Sequence, residues 1–302
     1  MSLVDRISVD LNIDPEYLKN IAGRNNLYKK YYIPKNKGKR LIMQPSRELK
    51  VIQYWIVKNI FEFFPISDYS SAYERGCSIQ RNARMHSKSK YILHMDIKDF
   101  FVSINCDMVN NLFVKNPNVT KELQLSQKDI DYILNIVLYE GKSLVIGSVA
   151  SPVISNLVMY SFDNELKAEL DKKRKYIYTR YADDIVISSE EYIPKNVISM
   201  VTEMMKKYGF IPNKGKIFFM NKSTRRQVTG IIIDNNTGNI TIGTSRYKKI
   251  KSQIYNFLVK NKGDIEQIRG FLTFVESTNK EQYNQLKKIY LRYDKENKLF
   301  LD

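Results

Sequence analysis

Three carboxylates carry most of the chemistry this sequence can offer. Asp183 and Asp184 lie between residues 176–181 and 185–189, two short runs rich in β-branched and aromatic side chains. Such runs read as strands, with the Asp pair at the turn of a hairpin. Adjacent carboxylates at a rigid tip repel each other unless a cation sits between them. A solvated Asp-Asp turn is the ordinary fate of this dipeptide, but a second acidic strand shifts the balance. Residues 91–96 form another apolar run that ends in Asp96, with Asp99, Phe100 and Phe101 directly after it. Carboxylates from adjacent strands suit a hard divalent cation such as Mg²⁺. Two such ions held about 4 Å apart support in-line phosphoryl transfer with no side-chain nucleophile.

The elements that must position these acids follow from periodicity. Asp14-Pro15-Glu16 marks a helix start within residues 1–27, to which no chemistry attaches. Residues 28–50 carry eight cations against one acid and read as a basic hairpin turning at Lys37-Gly38. Its Lys39 and Arg40 could close on a triphosphate, Arg40 as a bidentate ligand; a solvated basic loop is the alternative. Leu49, Ile52, Ile56, Ile60 and Phe63 recur at helical spacing over 47–64, with Tyr54 and Trp55 packing among them. Ser126 to Asp129 resembles a capping box ahead of Ile130, Ile133, Leu134 and Val137. Ser151 and Pro152 open a helix striped by Ile154, Val158, Phe162, Leu166 and Leu170. A further helix over 195–208 turns Val197, Ile198, Val201, Met204 and Met205 inward and is capped by Gly209. Val228-Thr229-Gly230 begins a strand pair turning at 235–238. Residues 244–302 read as helices, with Ser245 and Asp264 as N-caps and thirteen cations against seven acids. Arg246, Lys248, Lys249 and Lys251 cluster at the entrance, placed to track a nucleic-acid backbone.

Composition sets the frame. A chain of 302 residues exceeds one compact core, and 43% hydrophobic content indicates a folded protein. Lys plus Arg number 49 against 32 acids, a net charge of +17 that favours a polyanion partner. The two cysteines, Cys77 and Cys106, form no CxxC pair, and two histidines leave little scope for a zinc site or a Ser-His-Asp triad. No P-loop is present, since Ile136 stands where the first glycine would be. No signal peptide or membrane-length apolar run is found, and a cytoplasmic protein is expected.

The Tyr181-Ala182-Asp183-Asp184 tetrad, with a strand ending in Asp96 and an aromatic five residues further on, resembles a reverse transcriptase palm. More narrowly, the chain resembles the bacterial retron reverse transcriptases from about Tyr31 onward, with several motifs in family order. Asn82-Ala83-Arg84-Met85-His86 matches the Asn-Ala-x-x-His of a retron-type insertion, and Val228-Thr229-Gly230 matches the family's Val-Thr-Gly.

The resemblance implies an α+β right-hand polymerase with fingers, an RRM-like α/β palm and an α-helical thumb. Residues 1–90 would be N-terminal helices and fingers, with the insertion near 69–90. Residues 91–241 would form the palm, with part of the fingers around 107–145, and 242–302 the thumb. Asp96 and Asp183 would bridge two Mg²⁺ ions, and Asp184 would contact the catalytic one. Phe101 would exclude a ribose 2′-hydroxyl, a group left both clashing and unsatisfied against an apolar ring. Lys39, Arg40 and Gly147 would line the nucleotide site. Lys216, with Lys214 as alternative, would act as general acid toward pyrophosphate.

Asn82 and His86 would contact the cognate RNA. Tyr181, Val228, Thr229, Gly230, Arg246, Lys248 and Lys249 would hold RNA or primer. Partners would be a structured noncoding RNA, its RNA–DNA product, deoxynucleotides and an effector protein. The chain departs from the family at Val145-Ile146-Gly147, where Ile146 replaces a Gln beside the nucleotide. A metal nuclease with the same acids leaves the fingers cations, Phe101 and the thumb unexplained. A non-catalytic RNA-binding module and a reverse transcriptase of group II intron or abortive-infection type are the remaining alternatives.

Overall fold

The structure, a computed structural model, describes residues 1–22, 24, 26–35, 38–296 and 298–300. In chain order its first elements are helices α1 (Leu3–Leu11) and α2 (Pro15–Ile21), strands β1 (Tyr28–Pro34) and β2 (Lys39–Pro45), and helices α3 (Arg47–Asn59) and α4 (Ile79–Met85). Strand β3 (Tyr91–Asp96) precedes helices α5 (Phe100–Ser103), α6 (Cys106–Lys115), α7 (Pro117–Glu122), α8 (Gln127–Val137), α9 (Ser151–Val158) and α10 (Tyr160–Lys173). Strands β4 (Ile177–Tyr181) and β5 (Asp184–Ser189) lead to α11 (Asn196–Lys207). The short strands β6 (Phe218–Asn221), β7 (Arg226–Val228), β8 (Ile231–Ile233) and β9 (Ile240–Thr241) come next. Helices α12 (Thr244–Lys260), α13 (Ile265–Thr278) and α14 (Lys280–Tyr290) end the series.

The chain divides into two compact units, each assembled from three stretches. The first comprises Met1–Arg75, Asp96–Arg174 and Lys195–Gly215. It is helical apart from the antiparallel β1–β2 ribbon, whose outer half is exposed. Lys37 of the expected turn lies outside the described residues, while Gly38 takes a φ of +88°. Expected caps are in place: Asp14 accepts from the Tyr17 N–H, and Ser126 and Asp129 form a reciprocal capping box.

Three expectations need correction here. The stripe from Ile154 to Leu170 belongs to two helices broken at Met159, not to one. In the turn before the break the Ser155 hydroxyl bonds back to the Pro152 carbonyl, a local competitor of the helical ladder. The cap of α9 is Ala150, and Ser151 instead accepts the Val145 N–H. Trp55 packs as expected and donates to Asp10, whereas Tyr54 is exposed.

The second unit comprises Gly76–Met95, Lys175–Pro194 and Lys216–Asp302. Its centre is a four-stranded sheet in the order β4-β5-β3-β6. Counted along the chain this is 2-3-1-4, the order an RRM-like sheet has. Alternation on the strands puts Thr179 and Tyr181 of β4, Asp184, Val186 and Ser188 of β5, and Ile92, His94 and Asp96 of β3 on one face. Ala83 of α4 joins Ile92, Val186 and the β7–β8–β9 residues Val228, Ile231, Ile233 and Ile240 in one core.

Helices α12–α14 enclose a separate core of Ile250, Ile254, Ile268, Leu272, Val275 and Leu286. Asp294 closes it, its buried carboxylate accepting the N–H groups of Lys298, Leu299 and Phe300. The cap of α12 is Gly243 and not Ser245, while Asp264 caps α13 as expected. Among the described residues no helix is long and apolar enough to cross a membrane.

Candidate active site

Strands β4 and β5 pair from Ile177↔Ser188 to Tyr181↔Asp184, which leaves Ala182 and Asp183 as a two-residue turn. Ala182 takes a φ of 56°, the left-handed value a primed hairpin turn demands of its first central residue. Glycine is the usual occupant, so an alanine here holds strain of about 1–3 kcal/mol. The buried Arg180 guanidinium donates to the Ala182 carbonyl at 3.1 Å and so grips the turn from inside.

Asp96 is the last residue of β3, which neighbours β5 in the sheet. One carboxylate oxygen from each of Asp96, Asp183 and Asp184 lies within 4.8 Å of the others. The three acids named from the sequence therefore meet. An all-oxygen, all-carboxylate donor set of this spacing fits a hard divalent cation. Asp96 is almost wholly buried, and its Oδ1 accepts from Asn213 Nδ2 at 2.9 Å while its carbonyl accepts the Asn213 N–H at 2.8 Å. Residues 211–213 run alongside 96–98, with the Lys98 N–H donating to the Ile211 carbonyl and a bridge between Ile97 and Pro212.

Asn213 and His94 escaped the sequence reading. His94 Nε2 lies 3.3 Å from Asp184 Oδ1, Nδ1 donates to the Lys216 carbonyl, and the ring stacks on Phe218 with centroids 4.6 Å apart. The available signal was alternation, since His94 stands two residues before Asp96 and must share its face. Lys216 itself is half-buried in a short 3₁₀ turn, and Lys214 is exposed.

Phe101 is half-exposed, with its ring against Phe100 and Tyr73. Tyr73, also missed, is exposed and holds a φ of 66°. Lys39 and Arg40 are exposed on β2. Gly147, with a φ of +108°, is a point of close approach: a Cβ there would lie 2.8 Å from the Met43 carbonyl oxygen. The Met43 N–H bonds to the Ile146 carbonyl, so the backbone at 146–147 anchors the ribbon.

The insertion residues require a correction. Asn82, on the inward face of α4, and His86, its C-cap, are both fully buried and offer no surface to an RNA. His86 bonds through Nε2 to the Thr179 hydroxyl and through Nδ1 to the Ser188 hydroxyl, each at 2.7 Å. Burial pushes the imidazole down to about 3. Neither polar atom of the Asn82 amide meets a hydrogen-bond partner among the described residues. Arg81, Arg84, Met85 and Lys88 are the exposed side chains over residues 81–88.

Val228 is likewise buried, and Thr229-Gly230 is itself the turn between β7 and β8 rather than the start of a strand. Thr229 has a φ of 45°, and its hydroxyl donates to the Ile79 carbonyl at the start of α4. The two motifs, distant in sequence, share one core through Ala83 and Val228. Tyr181 is half-buried beside the Asp pair, and Arg246, Lys248 and Lys249 are exposed on α12, Arg246 over the Phe274 ring.

Acids gathered from separate strands at one end of such a sheet are what a nucleotidyl-transfer palm presents, and residues 33–233 match the reverse transcriptase (RNA-dependent DNA polymerase) family. The chain is 29% identical over 293 residues to the retron Ec86 reverse transcriptase of Escherichia coli, an alignment covering 95% of this chain and 86% of that one. It is 30% identical over 277 residues to the retron Ec73 reverse transcriptase of Escherichia coli, covering 87% of each. The chain belongs to the reverse transcriptase family and, within it, to the retron reverse transcriptases, which are RNA-directed DNA polymerases.

Proposed function

We propose that this reverse transcriptase copies part of a cognate structured noncoding RNA into DNA, starting from a 2′-hydroxyl within that RNA. The product is a branched RNA–DNA molecule, multicopy single-stranded DNA, that serves antiphage defence together with an effector protein. The observation that carries the catalytic part is the convergence of Asp96, Asp183 and Asp184. The similarity to retron enzymes supports the choice of template and product.

In this reading Asp96, Asp183 and Asp184 would hold two Mg²⁺ ions, which would supply charge neutralisation at the phosphates and a lowered pKa at the attacking hydroxyl. The protein's own groups do the rest. Asn213 and His94 orient the Asp96 and Asp184 carboxylates through the bonds described above. Phe101 presents an apolar ring that a ribonucleotide's 2′-hydroxyl meets with no hydrogen-bond partner. Arg40 and Lys39 neutralise the triphosphate, with Arg40 able to take two oxygens at once. Lys216 gives a proton to the leaving pyrophosphate.

Tyr181 and the Thr229-Gly230 turn support the primer, and Arg246, Lys248 and Lys249 follow the duplex backbone. In domain terms, residues 1–90 form the N-terminal helices and fingers, 91–241 the palm with part of the fingers, and 242–302 the thumb. The test is deoxynucleotide incorporation on an RNA template with Mg²⁺, run beside Asp183→Asn, together with sequencing of the nucleic acid that co-purifies. Extension by the wild type alone and a single recurrent RNA–DNA species are expected. Extension by Asp183→Asn would refute the carboxylate assignment, and a random RNA population would refute the cognate template.

A further inference from the structure

The Ala182-Asp183 turn raises a mechanical question. A left-handed alanine at the tip persists only where the surrounding structure over-determines the backbone. A slip of one residue between β4 and β5 would send Asp184 to the opposite face of the sheet. Arg180 restrains the paired strands at the turn, and a second restraint at their open end would complement it.

We propose that His86 is a positioning residue for the polymerase reaction, bridging Thr179 on β4 and Ser188 on β5 so that the strands presenting Asp183 and Asp184 keep their register and separation. Thr179 pairs with Val186, and Ser188 pairs with Ile177, so the two hydroxyls are diagonal neighbours on one face. Diagonal pairs stand about 7–8 Å apart, too far for a direct hydrogen bond. The imidazole fills that gap with a 2.7 Å contact at each ring nitrogen. Ser89 Oγ extends the chain of bonds, lying 2.8 Å from Ser188 Oγ.

A neutral imidazole has one N–H and one lone pair, so one hydroxyl accepts from it and the other donates. That fixes the ring in a single orientation, and burial keeps it neutral. The clamp acts at a distance: four residues of strand, about 13 Å, separate Ser188 from Asp184, and Thr179 stands two strand residues and one turn residue before Asp183. A small splay at the clamp becomes a displacement of the carboxylates at the tip. A misplacement of about 1 Å at a reacting centre lowers rate on the order of 100-fold.

The Asn-Ala-x-x-His segment thereby serves the chemical step from the back of the hairpin, whatever its outward face binds. The inference rests on the polymerase reading of the carboxylates. The test uses the full chain with oligo(dT)-primed poly(rA) and dTTP, and follows kcat per titrated active site, KM for dTTP, Kd for the primed template and Tm. His86→Ala should lose about 10- to 100-fold in kcat with KM and Kd within about twofold of wild type. His86→Gln, whose amide offers both a donor and an acceptor, should recover part of the loss. Thr179→Val and Ser188→Ala each remove one end of the bridge and should lower kcat less; they carry the test if His86→Ala does not fold.

A lowered Tm with unchanged kcat in all folded variants would reduce His86 to fold support and overturn the proposal. Weakened template binding with kcat retained would overturn it in favour of an RNA contact. An inactive wild type would instead sink the polymerase reading, which Asp183→Asn tests separately.

Discussion

Substituting Gly147 by alanine probes the anchor of the basic ribbon. Two separate penalties apply. A φ of +108° is foreign to an L residue, and holding one there costs about 1–3 kcal/mol. The new Cβ would also stand 2.8 Å from the Met43 carbonyl oxygen and 2.9 Å from Ile42 Cγ2. Relieving that overlap moves the backbone of β2, at about 1–3 kcal/mol more. The sum, about 2–6 kcal/mol, is a large share of the ~5–15 kcal/mol that holds a typical protein folded. Gly38→Ala separates the two effects, because Gly38 has a similar φ of +88° but nothing within 4 Å of its Cβ position.

Urea unfolding followed by fluorescence of Trp55, the single tryptophan, reads this directly, since Trp55 is buried in the same unit. The midpoint should fall clearly further for Gly147→Ala than for Gly38→Ala, and KM for deoxynucleotide should rise as the ribbon loosens. Equal midpoints for the two variants would show that the close approach between residues 42–43 and 147 is not a feature of the folded protein.

Phe101→Val should admit ribonucleotides, and an unchanged preference for deoxynucleotides in a competition assay would remove Phe101 from sugar selection. Replacing Arg246, Lys248 and Lys249 by glutamine should flatten the plot of log K against log salt by about 0.7–0.9 for each phosphate no longer neutralised; a parallel plot would leave those cations as a solvated face. His86 also predicts a pH effect on stability. Its folded value, about 3, lies below the ordinary ~6.5, so between these values the unfolded chain binds the extra proton. The contribution is whole above ~6.5 and is lost as pH falls, at up to about 1.4 kcal/mol per unit. Urea midpoints of wild type should therefore drop more steeply from pH 7 to 4.5 than those of His86→Gln, and matching slopes would contradict a neutral, enclosed imidazole.

Sequence patterns revealed most where local physics decides the outcome. The strands bearing Asp96 and Asp184 read as short, largely apolar runs because they are buried on both faces. The capping box at Ser126 and the cap at Asp264 depend only on near neighbours. Tertiary contacts decided the rest. Ser151 reads as a cap but spends its hydroxyl on Val145. Asn82 and His86 look like surface polars, yet with Ile79 and Ala83 they follow the i, i+3, i+4, i+7 stripe of a buried helix face, a cue that polarity concealed. Tyr73 and Asn213 reach the site's neighbourhood through backbone turns that no periodicity foretells.

The strand order has a consequence for biosynthesis. Strand β3 leaves the ribosome early, but its neighbours in the sheet arrive only with residues 184–189 and 218–221. Until then it is an apolar segment with both edges open, the kind of non-local pairing that folds slowly and invites association between nascent chains. A polymerase built this way cannot assemble its acidic centre before more than half the polypeptide exists. Premature termination between β3 and the β4–β5 hairpin therefore yields a fragment without catalytic capacity and with a sticky central strand, a natural substrate for chaperones and proteases.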